Sequence, residues 1–115
     1  MDGFDVTQRD DGGIAVLYLK GFLDAHTAPI LENALEKCVN EQKFRIIVSF
    51  AELTYISSAG LGVFMGFIEE IRQHEGDIKL SSMSEKIFRV FDLLGFPALY
   101  DITDTDEEAK AKFEN

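Results

Sequence analysis

Apolar and polar positions along this chain fall into short blocks whose period changes from one block to the next, with turn residues between them. Phe4 to Arg9 reads as a short strand and Ile14 to Leu19 as a strongly apolar one. The turn Asp10-Asp11-Gly12-Gly13 between them predicts an antiparallel hairpin. Gly21-Phe22-Leu23-Asp24 then leads into a helix starting near Thr27, with Pro29 tolerated in its first turn. Leu31, Ala34, Leu35 and Cys38 recur at helical spacing and predict its buried stripe. Arg45 to Phe50 holds the β-branched run Ile46-Ile47-Val48, which suits a central strand covered on both faces.

Ser57 and Ser58 mark the entry to a second helix, which runs to about His74 and stops near Gly76. Ile78 to Leu80 is a short strand. Ser84 is placed to cap a helix carrying Ile87, Phe88, Phe91 and Leu94, with Gly95 at its end and Pro97 beyond. Ala98 to Ile102 predicts a last edge strand, and Asp106 to Asn115 a polar, partly helical tail. A hairpin followed by alternating helices and strands predicts an α/β fold with a mixed, mostly parallel sheet of four to five strands. One domain is expected over residues 1–115, with its core at about 4–102 and an acidic tail at 103–115.

On a helical wheel at about 100° per residue, Leu61, Phe64, Met65, Ile68 and Ile71 form the expected core stripe of the second helix. Ala59, Gly62, Gly66, Glu70 and Gln73 lie opposite, with Val63 and Phe67 on the flank. A glycine inside a helix costs about 1 kcal/mol relative to alanine. Two of them on an outward face suggest either that a partner approaches the backbone there or that a neighbouring loop packs over one. Ser57 and Ser58 have an equally simple structural reading, since serines are favoured N-caps. A phosphate added at this helix start would meet free N–H groups and the positive end of the helix dipole, so the fold should tolerate it. It would also add about −1.5 to −2 charges to a nearly apolar surface.

Composition narrows the partners. With 46% hydrophobic residues and ten Phe among 115, the chain can bury an aromatic-rich core. A formal net charge of −10 argues against nucleic acid and anionic membrane, and favours a positively charged protein. The single cysteine, Cys38, allows no internal disulfide. The start Met1-Asp2-Gly3-Phe4-Asp5 is acidic, and no apolar run approaches the roughly 20 residues of a membrane span. Cytoplasm is therefore the expected compartment, without membrane insertion.

Catalytic patterns are poor. The elbow Gly-x-Ser-x-Gly of serine hydrolases fails at Ser58, where Ile56 stands in place of the first glycine. His26 and His74 read as surface residues, and neither they nor Cys38 show ligand spacing, so no metal is expected. The acidic run Asp101, Asp104, Asp106, Glu107, Glu108 lacks the pattern of a calcium loop and reads as a solvated tail. No phosphate-binding loop is present, so no cofactor is expected and any ATP would come from a partner.

Against this background the chain resembles the STAS domain, the module of bacterial anti-sigma factor antagonists and of sulfate-transporter tails. The resemblance runs from about Val6 to Ile102. It is carried by Lys20-Gly21-Phe22-Leu23-Asp24 with Thr27-Ala28, by Ile46-Ile47-Val48, by Leu53-Thr54-Tyr55-Ile56-Ser57-Ser58-Ala59-Gly60-Leu61-Gly62, and by Ile87-Phe88 with Leu93-Leu94-Gly95. A small acidic chain looks like the antagonist branch. The resemblance implies helices mainly on one side of the sheet, no enzymatic activity, and a partner-switching role. An unphosphorylated antagonist binds an anti-sigma factor that is itself a serine kinase, and a serine phosphatase reverses the mark. The family pattern is Asp-Ser-Ser/Thr-Gly-Leu-Gly, which puts the phosphoacceptor on Ser58. Ser57 stands at the aspartate position, and is the alternative acceptor; Ala59 replaces the next hydroxyl. Asp24 matches an acidic position near the acceptor. Partner contacts are then expected at Asp24, Ser57, Ser58, Ala59, Gly60, Gly62, Val63, Gly66 and Phe67. The rival reading is a STAS adaptor or scaffold subunit that is never phosphorylated, in a signalling complex or on a transporter ATPase. The oligomeric state is not legible.

Overall fold

Gly12 and Gly13, both at positive φ (60° and 86°), turn the chain sharply enough to lay β1 (Phe4–Asp11) antiparallel against β2 (Ile14–Leu23). The computed structural model describes residues 3–114; Met1, Asp2 and Asn115 lie outside the described residues. The chain continues through α1 (Ala28–Asn40), β3 (Arg45–Ile56), α2 (Ser58–Gln73), β4 (Asp77–Ser81), α3 (Glu85–Leu93), a 3-10 turn (Phe96–Ala98), β5 (Ile102–Thr103) and α4 (Asp106–Phe113). The five strands lie side by side in chain order, and every pair after the hairpin is parallel.

Two strands run past their expected ends, and this extension builds the functional end of the sheet. β2 continues beyond Leu19 to Leu23, and β3 beyond Phe50 to Ile56. Lys20 and Gly21 interrupt the apolar alternation because the β2–β3 register shifts there, with Gly21 at φ 101°. Beyond the irregularity pairing resumes, Phe22 beside Tyr55 and Leu23 beside Ile56. The Ser57 N–H then donates to the Leu23 carbonyl at 2.9 Å. Asp24 and Ser57 consequently leave the sheet side by side.

One face of the sheet carries the main core. Ala15, Leu17, Leu19, Ile46, Val48, Phe50, Ile78 and Leu80 pack with the buried stripes of α1, α2 and α3, as the periodicity predicts. The centre is aromatic: Phe50 meets Phe91 edge-on at 5.3 Å, Phe91 meets Phe96 at 5.1 Å, and Phe96 stacks on Tyr100 at 5.3 Å. Ser84 caps α3 as expected, accepting from the Ile87 N–H at 3.2 Å. Phe88 and Leu94, expected with the stripe of that helix, are exposed. The predicted edge strand Ala98 to Ile102 is instead a 3-10 turn and the two-residue β5. Gly95 at φ 78° and Pro97 tighten the chain there, turning Phe96 and Tyr100 into the core.

The acidic tail is not simply solvated. α4 packs on the opposite sheet face, where Ala109 is buried with Ile14, Val16 and Ile47, and Phe113 lies half-buried beside them. Polar contacts hold it. Ser81 and Ser82 donate to Asp106 at 2.6 and 2.9 Å, and Lys110 donates to Asp11 at 2.6 Å. Beneath the Phe113 ring, 4.6 Å from its centre, lies the buried Lys79 ammonium, paired with Asp101 at 2.7 Å and Asp77 at 3.0 Å. Burial pulls the Lys79 pKa down, but the hydrogen bonds it donates to these two carboxylates outweigh that and hold the group charged.

Candidate functional site

β3 ends at Ile56 and α2 begins at Ser58, so Ser57 alone joins them. Its backbone has N-cap geometry (φ −108°, ψ 174°) and its carbonyl accepts from Gly60 at 3.0 Å and Leu61 at 3.2 Å. The expected serine cap is nevertheless missing: neither hydroxyl caps α2, and Ser57 Oγ is buried without a hydrogen-bond partner among the described residues. With its N–H tied to Leu23, Ser57 turns its side chain inward, while Ser58 is exposed on the first turn. The two adjacent hydroxyls therefore sit in opposite environments.

Leu61, Phe64, Ile68 and Ile71 face the core as predicted. Met65 does not; it is 48% exposed, with its sulfur 3.9 Å from the Tyr100 hydroxyl. Val63, expected on the flank and as a partner contact, is only 5% exposed. Gly60 is buried too, and a Cβ there would stand 2.7 Å from Leu23 Cγ and 3.1 Å from Ile56 Cγ1. The buried face of α2 is thus rotated toward Gly60 and Val63, because the ends of β2 and β3 push Leu23 and Ile56 against that side. These two residues seat the helix and are removed from the outer surface. Gly62 and Gly66 are exposed and have open space where a Cβ would stand, so no loop among the described residues covers them. Ala59 and Phe67 are half-buried at the margins of that open strip.

Asp24 sits next to this helix start in a tight turn. Its Oδ1 accepts from the His26 N–H at 3.0 Å and the Thr27 N–H at 3.1 Å, and its own N–H donates to Thr27 Oγ1 at 2.9 Å. These bonds, that from the Thr27 backbone foremost, hold the carboxyl below the usual carboxylate range and keep it ionised. Phe22 and Tyr55 were not anticipated as surface features. They are 55% and 46% exposed, with ring centres 6.2 Å apart. Their pairing depends on β2 continuing past the irregular register at Gly21, which the alternation of residues along β2 does not display.

Elsewhere the chemistry is quiet. Burial pushes the Cys38 thiol up to about 11, which leaves it unreactive. His26 is exposed, and His74 is also exposed and stacks on Phe44 at 4.2 Å. Among the described residues no group of three acidic, histidine or cysteine side chains could hold a metal, and no helix is long and apolar enough to cross a membrane.

Comparison with known proteins agrees with this geometry. The family model for the STAS domain matches residues 5–109. An anti-sigma-B factor antagonist of Listeria monocytogenes is 30% identical over 104 residues, covering 90% of each chain. That of Bacillus subtilis is 32% identical over 89 residues, 77% of this chain and 81% of its own. An anti-sigma factor antagonist from Mycobacterium paratuberculosis has the same fold, with a TM-score of 0.90 at 20% identity over 97% of this chain and 95% of that one. The phosphorylated form of the Bacillus cell fate determinant SpoIIAA matches with a TM-score of 0.73 at 22% identity, over 95% and 99% of the two chains. A five-stranded sheet in chain order, a helix launched directly from its third strand and these relatives together make the chain a member of the STAS domain family.

Proposed function

We propose that this protein is an anti-sigma factor antagonist that works as a phosphorylation-controlled partner switch in the cytoplasm. Unphosphorylated, it binds an anti-sigma factor that is also a serine kinase, and so frees a sigma factor. Phosphate on Ser58 breaks that complex, and a serine phosphatase restores it. The observation that carries this reading is the contrast between the exposed Ser58 and the buried Ser57 oxygen, next to an open strip at Gly62 and Gly66. Of two neighbouring hydroxyls, one is available to a kinase. A phosphate on Ser58 lies at the positive end of the α2 dipole, so the domain stays folded while its outer surface turns anionic. A 100-fold loss of partner affinity needs only about 2.7 kcal/mol.

The test is incubation with the anti-sigma factor kinase and ATP, with the modified residue located by mass spectrometry and partner affinity measured before and after. The expected product carries one phosphate on Ser58, and Ser58→Asp binds at least about 100-fold more weakly. Phosphate on Ser57 alone, or unchanged binding by Ser58→Asp, rejects the reading. The rival, an adaptor that is never phosphorylated, draws on Ser57 standing where the family pattern has aspartate. It gains if the protein isolates with scaffold or transporter subunits and no kinase modifies it.

A further inference from the structure

The sheet face that carries α4, opposite the Ser58 helix, holds a feature that partner switching does not use. α4 buries Ile14, Val16 and Ile47, and the next row of the sheet lies beyond it. In that row the register lines up five hydroxyl side chains, one per strand: Thr7, Tyr18, Ser49, Ser81 and Thr103. The fold uses two of them, since Ser81 donates to Asp106 at 2.6 Å and Thr103 to the Thr105 carbonyl at 2.8 Å. Thr7, Tyr18 and Ser49 make no side-chain hydrogen bond among the described residues, and all three line a cavity of about 380 Å³. Ser49 is the telling member. It is only 2% exposed, and a buried hydroxyl without a partner is costly. Among the described residues Ser57 Oγ is the one fully sealed side-chain polar atom without a partner, so Ser49 Oγ opens into the cavity.

Donors and acceptors both surround that hydroxyl. Arg9 lines the cavity from β1, Glu52 from β3, and Asp106 from the first turn of α4. Ser81 and Ser82 both donate to Asp106 Oδ1, which leaves Oδ2 without a hydrogen bond among the described residues. Two carboxylates against one guanidinium, in a chain of net charge −10, oppose an anion. The guanidinium opposes a simple cation, and two carboxylates fall short of a metal ligand set. The hydroxyl floor opposes an apolar ligand. A neutral molecule with several adjacent hydroxyls meets every demand, because each O–H donates to a carboxylate and accepts from Arg9 or Ser49. We infer that this cavity is a binding site for a neutral polyhydroxylated molecule of monosaccharide size. Its volume lies at the small end of the roughly 300–1,000 Å³ typical of ligand sites, and the half-buried Tyr18 ring is available to the C–H groups of a sugar. The site is independent of Ser58 and of any protein partner.

The experiment titrates the purified full chain with glucose, galactose, ribose and inositol, following backbone and Tyr18 ring signals by NMR. At least one of the four should give saturable shifts confined to Thr7, Arg9, Tyr18, Ser49 and Asp106, with half-saturation at about 1–10 mM. Sodium phosphate and the zwitterion glutamine serve as charged controls and should leave those signals in place. Ser49→Ala and Arg9→Gln should each weaken the sugar response about tenfold. Glu107→Gln, on the exposed side of α4 outside the cavity, should leave it unchanged. Arg9 is exposed and Ser49→Ala removes one oxygen, so both variants should keep the fold, which their own spectra verify. No saturable shift from any of the four, an equal response to phosphate or glutamine, or a response undiminished in both variants each overturns the proposal. Failure of Ser58 phosphorylation in the kinase assay would leave this result untouched, so the two readings fail separately.

Discussion

Helices α2 and α3 each begin after a serine held in extended backbone geometry, Ser57 at φ −108° and ψ 174°, Ser84 at φ −69° and ψ 164°. Ser84 does what its residue type favours and accepts a bond from the helix. Ser57 does not, and its oxygen is buried without a partner among the described residues. The difference lies in the connection. Between β4 and α3 the chain has Ser82, Met83 and Ser84 to reorient in, including Ser82 at φ 61°. Between β3 and α2 there is one residue, tied through its N–H to Leu23. A cap requires a side chain free to turn toward the helix, and a one-residue connection removes that freedom. The uncapped start leaves the first N–H groups of α2 available next to Ser58.

This comparison can be broken most sharply at Gly60, which lets α2 approach β2. Gly60→Val should destabilise the domain by about 2–3 kcal/mol through overpacking against Leu23. A urea midpoint equal to wild type would mean that the close approach does not matter. Ser84→Ala should cost about 1 kcal/mol by the same measurement. Gly62→Ala and Gly66→Ala should each raise stability by about 0.5–1 kcal/mol, because their Cβ atoms enter open space and the helix gains propensity. The same pair of changes should weaken partner binding, which would separate a functional strip from an incidental one. Ser57→Ala should be neutral within about 0.5 kcal/mol, unlike Ser84→Ala, since it removes an oxygen that makes no bond. A loss near that of Ser84→Ala would show that Ser57 caps after all.

The smallest effect concerns pH. Asp24 has a depressed folded pKa, so its contribution is present above the ordinary carboxylate value of about 3.9 and is lost as pH falls through the folded value. Comparing thermal unfolding of wild type and Asp24→Asn from neutral pH downward should show the two curves converging in that acid window.

How legible all this was depends on which force set each element. Ile46-Ile47-Val48, the stripe of α1 and the Ser84 cap follow from local pattern and were read correctly. Met65 and Val63 exchange places because a helical wheel fixes the angles between residues but not which of two apolar arcs faces the core. The rotation of α2 is set by the glycine that seats it, Gly60, through its close approach to Leu23, which is distant in the chain. The extension of β2 was hidden by Lys20 and Gly21, whose irregular register only the parallel neighbour β3 explains. α4 was read as a solvated tail because its docking rests on Asp106, Lys110 and one small residue, Ala109, rather than on an apolar stripe. At the site, the serine segment and its glycines were visible. The opposite fates of the two hydroxyls, and the exposed ring pair, were not.

The strand order carries one more implication, for how the chain assembles as it is made. Each strand lies beside the one synthesised just before it, from β1 to β5. No strand has to be inserted between two that have already paired. The sheet can therefore grow by addition at one edge as the polypeptide emerges, with the β1–β2 hairpin as the local nucleus and each crossover helix closing over the newest edge. The Ser58 surface then forms once β3 and α2 have docked, before the last strand exists.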